Sequence, residues 1–184
     1  MWAEIVRIGE ISEEFVQKVC SGIEKHLSPV IERCLIGPII GMPPAAYNPK
    51  RQQYDADLII NRLAHRIRGK HKVVAITEFD LYTSSANLNF VFGLAQYPGR
   101  CALVSIHRLR PEFYGKRANQ NLLLLRSIKE CVHELGHTFG LPHCSNPQCV
   151  MSFSNSILEV DRKSAELCRE CWRELDKKTV SLEV

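Results

Sequence analysis

The run His133-Glu134-Leu135-Gly136-His137-Thr138-Phe139-Gly140-Leu141-Pro142-His143 carries the residue types that metal chemistry needs, at spacings that let them meet. On a helix, His133 and His137 lie about 40° apart around the axis and share one face. Two imidazoles so placed can hold one zinc ion. Glu134 stands beside the first of them, where it can take a proton from water activated by the metal. Gly140 can adopt a left-handed conformation without strain, which ends the helix and turns the chain back. His143 then arrives as a third ligand. Three protein ligands leave one position open, the mark of a catalytic rather than a structural zinc. The competing reading is a solvated helix face with incidental histidines; it does not account for the glycine and third histidine at fixed spacing.

A second ligand set follows at once. Of the eight cysteines, Cys144, Cys149, Cys168 and Cys171 form a CxxxxC and a CxxC, the first directly after His143. Four thiolates at paired spacings suit a closed tetrahedral zinc, with two disulfides as the alternative. Met1-Trp2-Ala3-Glu4 leads straight into Ile5-Val6-Arg7-Ile8, with no long apolar run after a basic start. The expectation is therefore a reducing, cytoplasmic compartment, which favours zinc. The short segment after Gly140 has too few residues for a core of its own, so a zinc clamp would give it stability. The clamp would also fix His143, the neighbour of Cys144. Cys20, Cys34, Cys101 and Cys131 sit among apolar residues and read as small buried hydrophobes.

Met151, a core gap-filler when read alone, completes a pattern. Three histidines followed by a methionine resemble the metzincin clan of zinc peptidases, whose methionine lies in a turn beneath the metal. Cys144 directly after the third histidine, then Cys149, Met151, Cys168 and Cys171, resemble the archaemetzincins. The match is detailed over 133–171 and looser over Tyr47–Tyr54 and Asn89–Ala95. The resemblance implies His133, His137 and His143 on a catalytic zinc and Glu134 as general base. It further implies Met151 in the Met-turn and the four cysteines on a structural zinc. Some metzincins carry a tyrosine two residues after the methionine; here that residue is Phe153, which has no donor to offer an oxyanion.

The elements that must position these groups follow from patterning. Length and an ordinary composition, 45% hydrophobic and 24% charged, predict one domain over 1–184. Its upper lobe would be 1–140 with the active-site helix, and its lower lobe 141–184 with the Met-turn and four-cysteine zinc. Ala3–Ile8 reads as a strand. Ser12 caps a helix whose stripe is Phe15, Val16, Val19, Ile23 and Leu27, ended by Pro29. Cys34–Ile40 reads as extended, Gly41–Pro49 as loop, Asp55–Arg68 as a second helix and Val73–Thr77 as a buried strand. Leu88–Phe92 and Ala102–Ile106 read as strands, Asn119–Thr138 as the metal-bearing helix, and Ser164–Lys178 as a final helix carrying the CxxC. The fold class is α+β and zincin-like, a mixed twisted sheet with backing helices and a small zinc-clamped C-terminal lobe. Asn87 and Asn89 fit a half-exposed strand. A strand at Asn89–Phe92 could hold an extended substrate by backbone pairing, or could be ordinary core.

Arg62, His65, Arg66, Arg68, Lys70, His71 and Lys72 form a basic run. A net charge of +4 and no interleaved aromatics favour a solvated helix face over a nucleic-acid patch. Asp55 and Asp80 could be structural acids or could orient a ligand. No stretch is long and apolar enough to span a bilayer. The expected function is zinc-dependent hydrolysis of peptide bonds in a peptide or protein substrate, with narrow specificity or low general activity. Two zinc ions are expected per chain, and no membrane or nucleic-acid partner. The rival reading is a non-catalytic zinc module for protein or nucleic-acid partners; it leaves Glu134 beside an open metal position without a purpose.

Overall fold

The structure is a computed structural model and describes residues 1–86 and 88–180. Its frame is a sheet whose central strands are apolar on both faces. Strand β1 (Trp2–Ile8) leads through helix α1 (Glu13–Leu27) to β2 (Arg33–Ile40). A small outlying sheet takes β3 (Tyr47–Asn48), β4 (Gln53–Asp55) and, after helix α2 (Ala56–Arg66) and β5 (Lys72–Thr77), strand β6 (Leu81–Tyr82). Strands β7 (Gly93–Ala95) and β8 (Cys101–Ser105) precede the long helix α3 (Gln120–Thr138). Two further helices, α4 (Ile157–Arg162) and α5 (Arg169–Val180), follow it.

The main sheet runs β2-β1-β5-β8-β7. The first four strands are parallel and β7 joins β8 antiparallel, so the sheet is mixed and β7 is an edge. Strand periodicity divides the core. Ala3, Ile5, Val74, Ile76, Ala102 and Val104 pack on one side with α1 and α3. Val73, Ala75, Cys101 and Leu103 pack on the other with α2. Because both faces are covered, β5 is buried from end to end and, Lys72 apart, is built of β-branched and apolar residues.

The helices begin where capping chemistry allows. The Phe15 N–H donates to Ser12 Oγ at 3.3 Å, the Asp57 N–H to Asp55 at 3.0 Å, and the Leu122 N–H to Asn119 Oδ1 at 3.0 Å. Asp55 is thus a cap. Asp80 is structural too, paired at both oxygens with Arg108 at 2.7 Å. Cys20, Cys34, Cys101 and Cys131 are buried in the apolar cores, as expected. The basic run lies on the open face of α2 and in the turn after it, except Lys72, which is buried. Its ammonium donates to Gly99 O at 2.6 Å and to Thr138 O at 2.9 Å, where α3 ends.

Two expectations are corrected. Leu88–Phe92 is not a strand; its one ladder contact is an isolated bridge from Val91 to Leu81. Arg51 donates to the carbonyls of Leu88 and Asn89, and Gln53 to that of Asn89, so side chains claim the groups a strand would pair. The edge strand is Gly93–Ala95 instead. Asn87 lies outside the described residues. The final helix starts at Arg169, because Ser164 Oγ donates to Gln148 O and the Cys168 N–H donates to Cys149 Sγ. The short helix α4 and the small sheet were not expected. No helix among the described residues is long and apolar enough to cross a membrane.

Candidate metal centres

Helix α3 brings His133 and His137 onto one face, and Gly140 returns the chain as its spacing requires. Gly140 has φ +85°, its N–H donates to His137 O, and the Leu141 N–H reaches back to Gly136 O. This is a Schellman ending. His143 then faces the pair. His137 Nε2 lies 3.1 Å from His133 Nε2 and 3.2 Å from His143 Nε2.

The other ring nitrogens fix the tautomers. His133 Nδ1 is 2.8 Å from Val150 O and His137 Nδ1 is 2.8 Å from Leu141 O. A carbonyl only accepts, so each Nδ1 carries the proton and each Nε2 turns a lone pair inward. Lone pairs so close repel unless a cation stands between them. Nitrogens at zinc-ligand distance on a tetrahedron are about 3.3 Å apart, so the triad fits zinc. Burial holds His133 well below the ordinary imidazole range and pushes His137 down to about 4. Burial and then Lys163 lower His143. Each shift favours the neutral imidazole, the form that ligates.

Glu134 is buried between α3 and the edge strand. A Cβ on Gly93 would stand 2.6 Å from Glu134 Oε1, so β7 needs a residue without one here. Burial raises the Glu134 carboxyl well above the usual range, and the Glu130 carboxylate one turn earlier adds to this. Glu130 is itself buried against Lys163, whose ammonium stands 3.0 Å from Oε1 without the angle of a hydrogen bond. This pair had one legible half, since Glu130 shares the face of His133 and Glu134. Nothing in the local pattern marked Lys163. The cavity over the triad, about 470 Å³, is walled by Leu88, Phe90 and Phe92 and by Pro142 and Phe153. Beneath it, buried Met151 meets α3 at Gly136, where an added Cβ would collide with the sulfur.

The four cysteines also converge, their sulfurs all within 4.8 Å of one another. Cys144 Sγ lies 3.8 Å from Cys168 Sγ and Cys149 Sγ 3.7 Å from Cys171 Sγ. Sulfurs on a tetrahedral zinc are about 3.8 Å apart, nearly twice a disulfide length. Backbone N–H groups of Asn146 and Cys168 point at Cys144 Sγ and Cys149 Sγ, as thiolates require. The donor set therefore fits zinc rather than two disulfides.

Comparison with known proteins agrees with this chemistry. The profile of peptidase family M54 matches residues 13–177. An archaemetzincin of Methanocaldococcus jannaschii is 40% identical over 177 residues, spanning 96% of this chain and 94% of the relative. One of Pyrococcus furiosus is 42% identical over 179 residues, 95% and 92% of the two chains. The crystal structure of archaemetzincin from Methanopyrus kandleri superposes with a TM-score of 0.82 at 36% identity, covering 97% of this chain and 95% of that one. The chain belongs to peptidase family M54, the archaemetzincins, and is a zinc metallopeptidase.

Proposed function

We propose that His133, His137 and His143 hold the catalytic zinc through Nε2 and that Glu134 is the general base. In the same reading Cys144, Cys149, Cys168 and Cys171 hold a second, structural zinc, giving two ions per chain. The observation that carries the assignment is the convergence of three Nε2 atoms, two with Nδ1 committed to carbonyls. Zinc, when bound, acidifies water and polarises a carbonyl. Glu134 takes the proton from the attacking water and returns it to the leaving amine. An extended substrate pairs with the free edge of β7 and sets its scissile carbonyl over the triad. Met151 forms the Met-turn under α3. Residues 1–140 act as the upper lobe and 141–184 as the lower.

Phe153 has no hydroxyl to share an oxyanion, which supports slow or narrow rather than general proteolysis. A donor set of four reduced thiols supports a cytoplasmic location. The test is cleavage of a diverse peptide mixture read by mass spectrometry, with zinc counted in each sample. Wild type should cut and Glu134→Ala should keep its zinc and lose at least about 10³-fold in kcat. Equal cleavage by the variant would remove Glu134 from the chemistry.

A further inference from the structure

Two buried polar atoms on the wall of the cleft make no hydrogen bond. Ser154 Oγ and Glu130 Oε1 have no such partner among the described residues, and both residues line the cavity that holds the triad and Glu134. Thr83 and Ser85 line it too, but their hydroxyls donate to Asp57 at 2.6 and 2.9 Å. A buried polar atom left unpaired is costly, and such an atom facing a cavity is one that a ligand can complete. Glu130 precedes His133 by three residues and Glu134 by four, so it shares their face of α3. Ser154 follows Phe153, whose ring stands 5.0 Å from that of His143. Lys163 ties the two walls together: its ammonium is 3.0 Å from Glu130 Oε1 and donates to Ser152 O at 3.4 Å. Around these polar atoms the lining is apolar and largely aromatic, with Leu88, Phe90, Phe92 and Phe153. Phe90 and Phe92 meet edge to face at 5.1 Å.

We infer that Glu130 and Ser154 make the cleft selective for tyrosine, the phenol of a substrate residue beside the scissile bond donating to the Glu130 carboxylate and accepting from Ser154 Oγ. The inference rests on the metallopeptidase reading and adds the substrate class. A carboxylate only accepts and a serine hydroxyl can donate, so one phenol satisfies both atoms at once. Its ring finds aromatic partners on the wall, where edge and face contacts add to burial. Phenylalanine fills the same space but leaves both polar atoms unpaired, the kind of loss by which a hydrogen-bonding site rejects the analogue without the hydroxyl. Lysine or arginine fits less well, because Lys163 already supplies the cation that Glu130 needs and a second buried ammonium has no counter-charge. An acidic side chain would set a carboxylate against Glu130.

The experiment reads binding without turnover. Zinc-loaded Glu134→Gln protein is titrated, by fluorescence anisotropy, with a labelled peptide of small residues bearing one Tyr, and with its Phe and Lys counterparts. The Tyr peptide should bind about tenfold tighter than the Phe peptide, and the Lys peptide weakest. Adding Ser154→Ala should cut the Tyr-to-Phe ratio to about threefold, since one of two hydrogen bonds is lost. Adding Glu130→Leu and Lys163→Met as well replaces the ion pair by apolar groups, a change that cores tolerate, and should bring the ratio to about one. Zinc content and melting temperature are read on every variant. Wild-type cut sites should carry Tyr at one fixed position beside the bond. Equal binding of the Tyr and Phe peptides, tightest binding of the Lys peptide, no binding of any of the three, or a Tyr preference that survives the triple change would overturn the inference. Cleavage by wild type with no Tyr beside the cut would do the same and leave the peptidase reading intact. Tyr-selective binding with no cleavage by wild type would count against Glu134 as base and leave the subsite standing.

Discussion

At the scale of single residues, Glu134, the proposed base, is held by what a neighbour lacks. Gly93 lies on the edge strand, and a Cβ there would meet Glu134 Oε1 at 2.6 Å, Cγ at 2.7 Å and Cδ at 2.8 Å. The whole carboxylate arm is in the way, and it is buried, so it must move. Gly93→Ala should therefore retain zinc yet lower kcat by roughly 10- to 100-fold, because a displaced base misses the proton it must take. Steady-state kinetics beside a zinc assay decide it; unchanged kcat would mean that Glu134 is not held by β7. The residues that converge into the two candidate metal centres were legible in the sequence because zinc demands few donor types at helical and loop spacings. His133, Glu134, His137, His143 and the four cysteines announce themselves in that way. Gly93 and Lys163 did not, since each meets the site only through tertiary packing.

At the scale of elements, α3 works as an anchor as well as carrying two of the proposed zinc ligands. Arg126, Lys129 and Glu130 lie on one of its faces and grip the chain around α4. Arg126 forms a two-pronged pair with Asp161 at 2.7 Å, Lys129 donates to Val160 O at 2.9 Å, and Glu130 faces Lys163. The last pair is buried on both sides, so removing one partner strands a charge. Lys163→Met should cost about 3–5 kcal/mol, and adding Glu130→Gln should recover most of it. Urea unfolding at matched zinc content measures both; additive losses would show that the pair is not coupled. Capped helices and the buried central strands were readable from periodicity. Leu88–Phe92 was not, because its apolar alternation is strand-like while Arg51 and Gln53, remote in sequence, take its carbonyls. Helix α4 escaped notice because so short a helix has little periodicity and depends on contacts with α3.

At the scale of the whole molecule, the two proposed ligand sets meet in the segment after Gly140, which also packs Val150, Met151, Val160 and Leu175 into the main core. His143 and Cys144 are consecutive, and the Cys144 N–H donates to Met151 O at 2.9 Å, so the last histidine, the first cysteine and Met151 share one short stretch of backbone. Ligand binding by such a segment is also folding free energy. Two losses should therefore differ. His143→Ala empties the open site of one zinc and abolishes activity, but leaves the four-thiolate clamp, so the melting temperature should fall by only a few degrees. Cys171→Ser breaks the clamp and should lower the melting temperature by roughly 10 °C or more. It should also weaken zinc at the histidines, because the backbone that presents His143 is loosened. Metal analysis and thermal unfolding of the two variants decide the matter together. If Cys171→Ser keeps both the zinc content and the melting temperature of wild type, the cysteines are core residues and the lower lobe stands by packing alone.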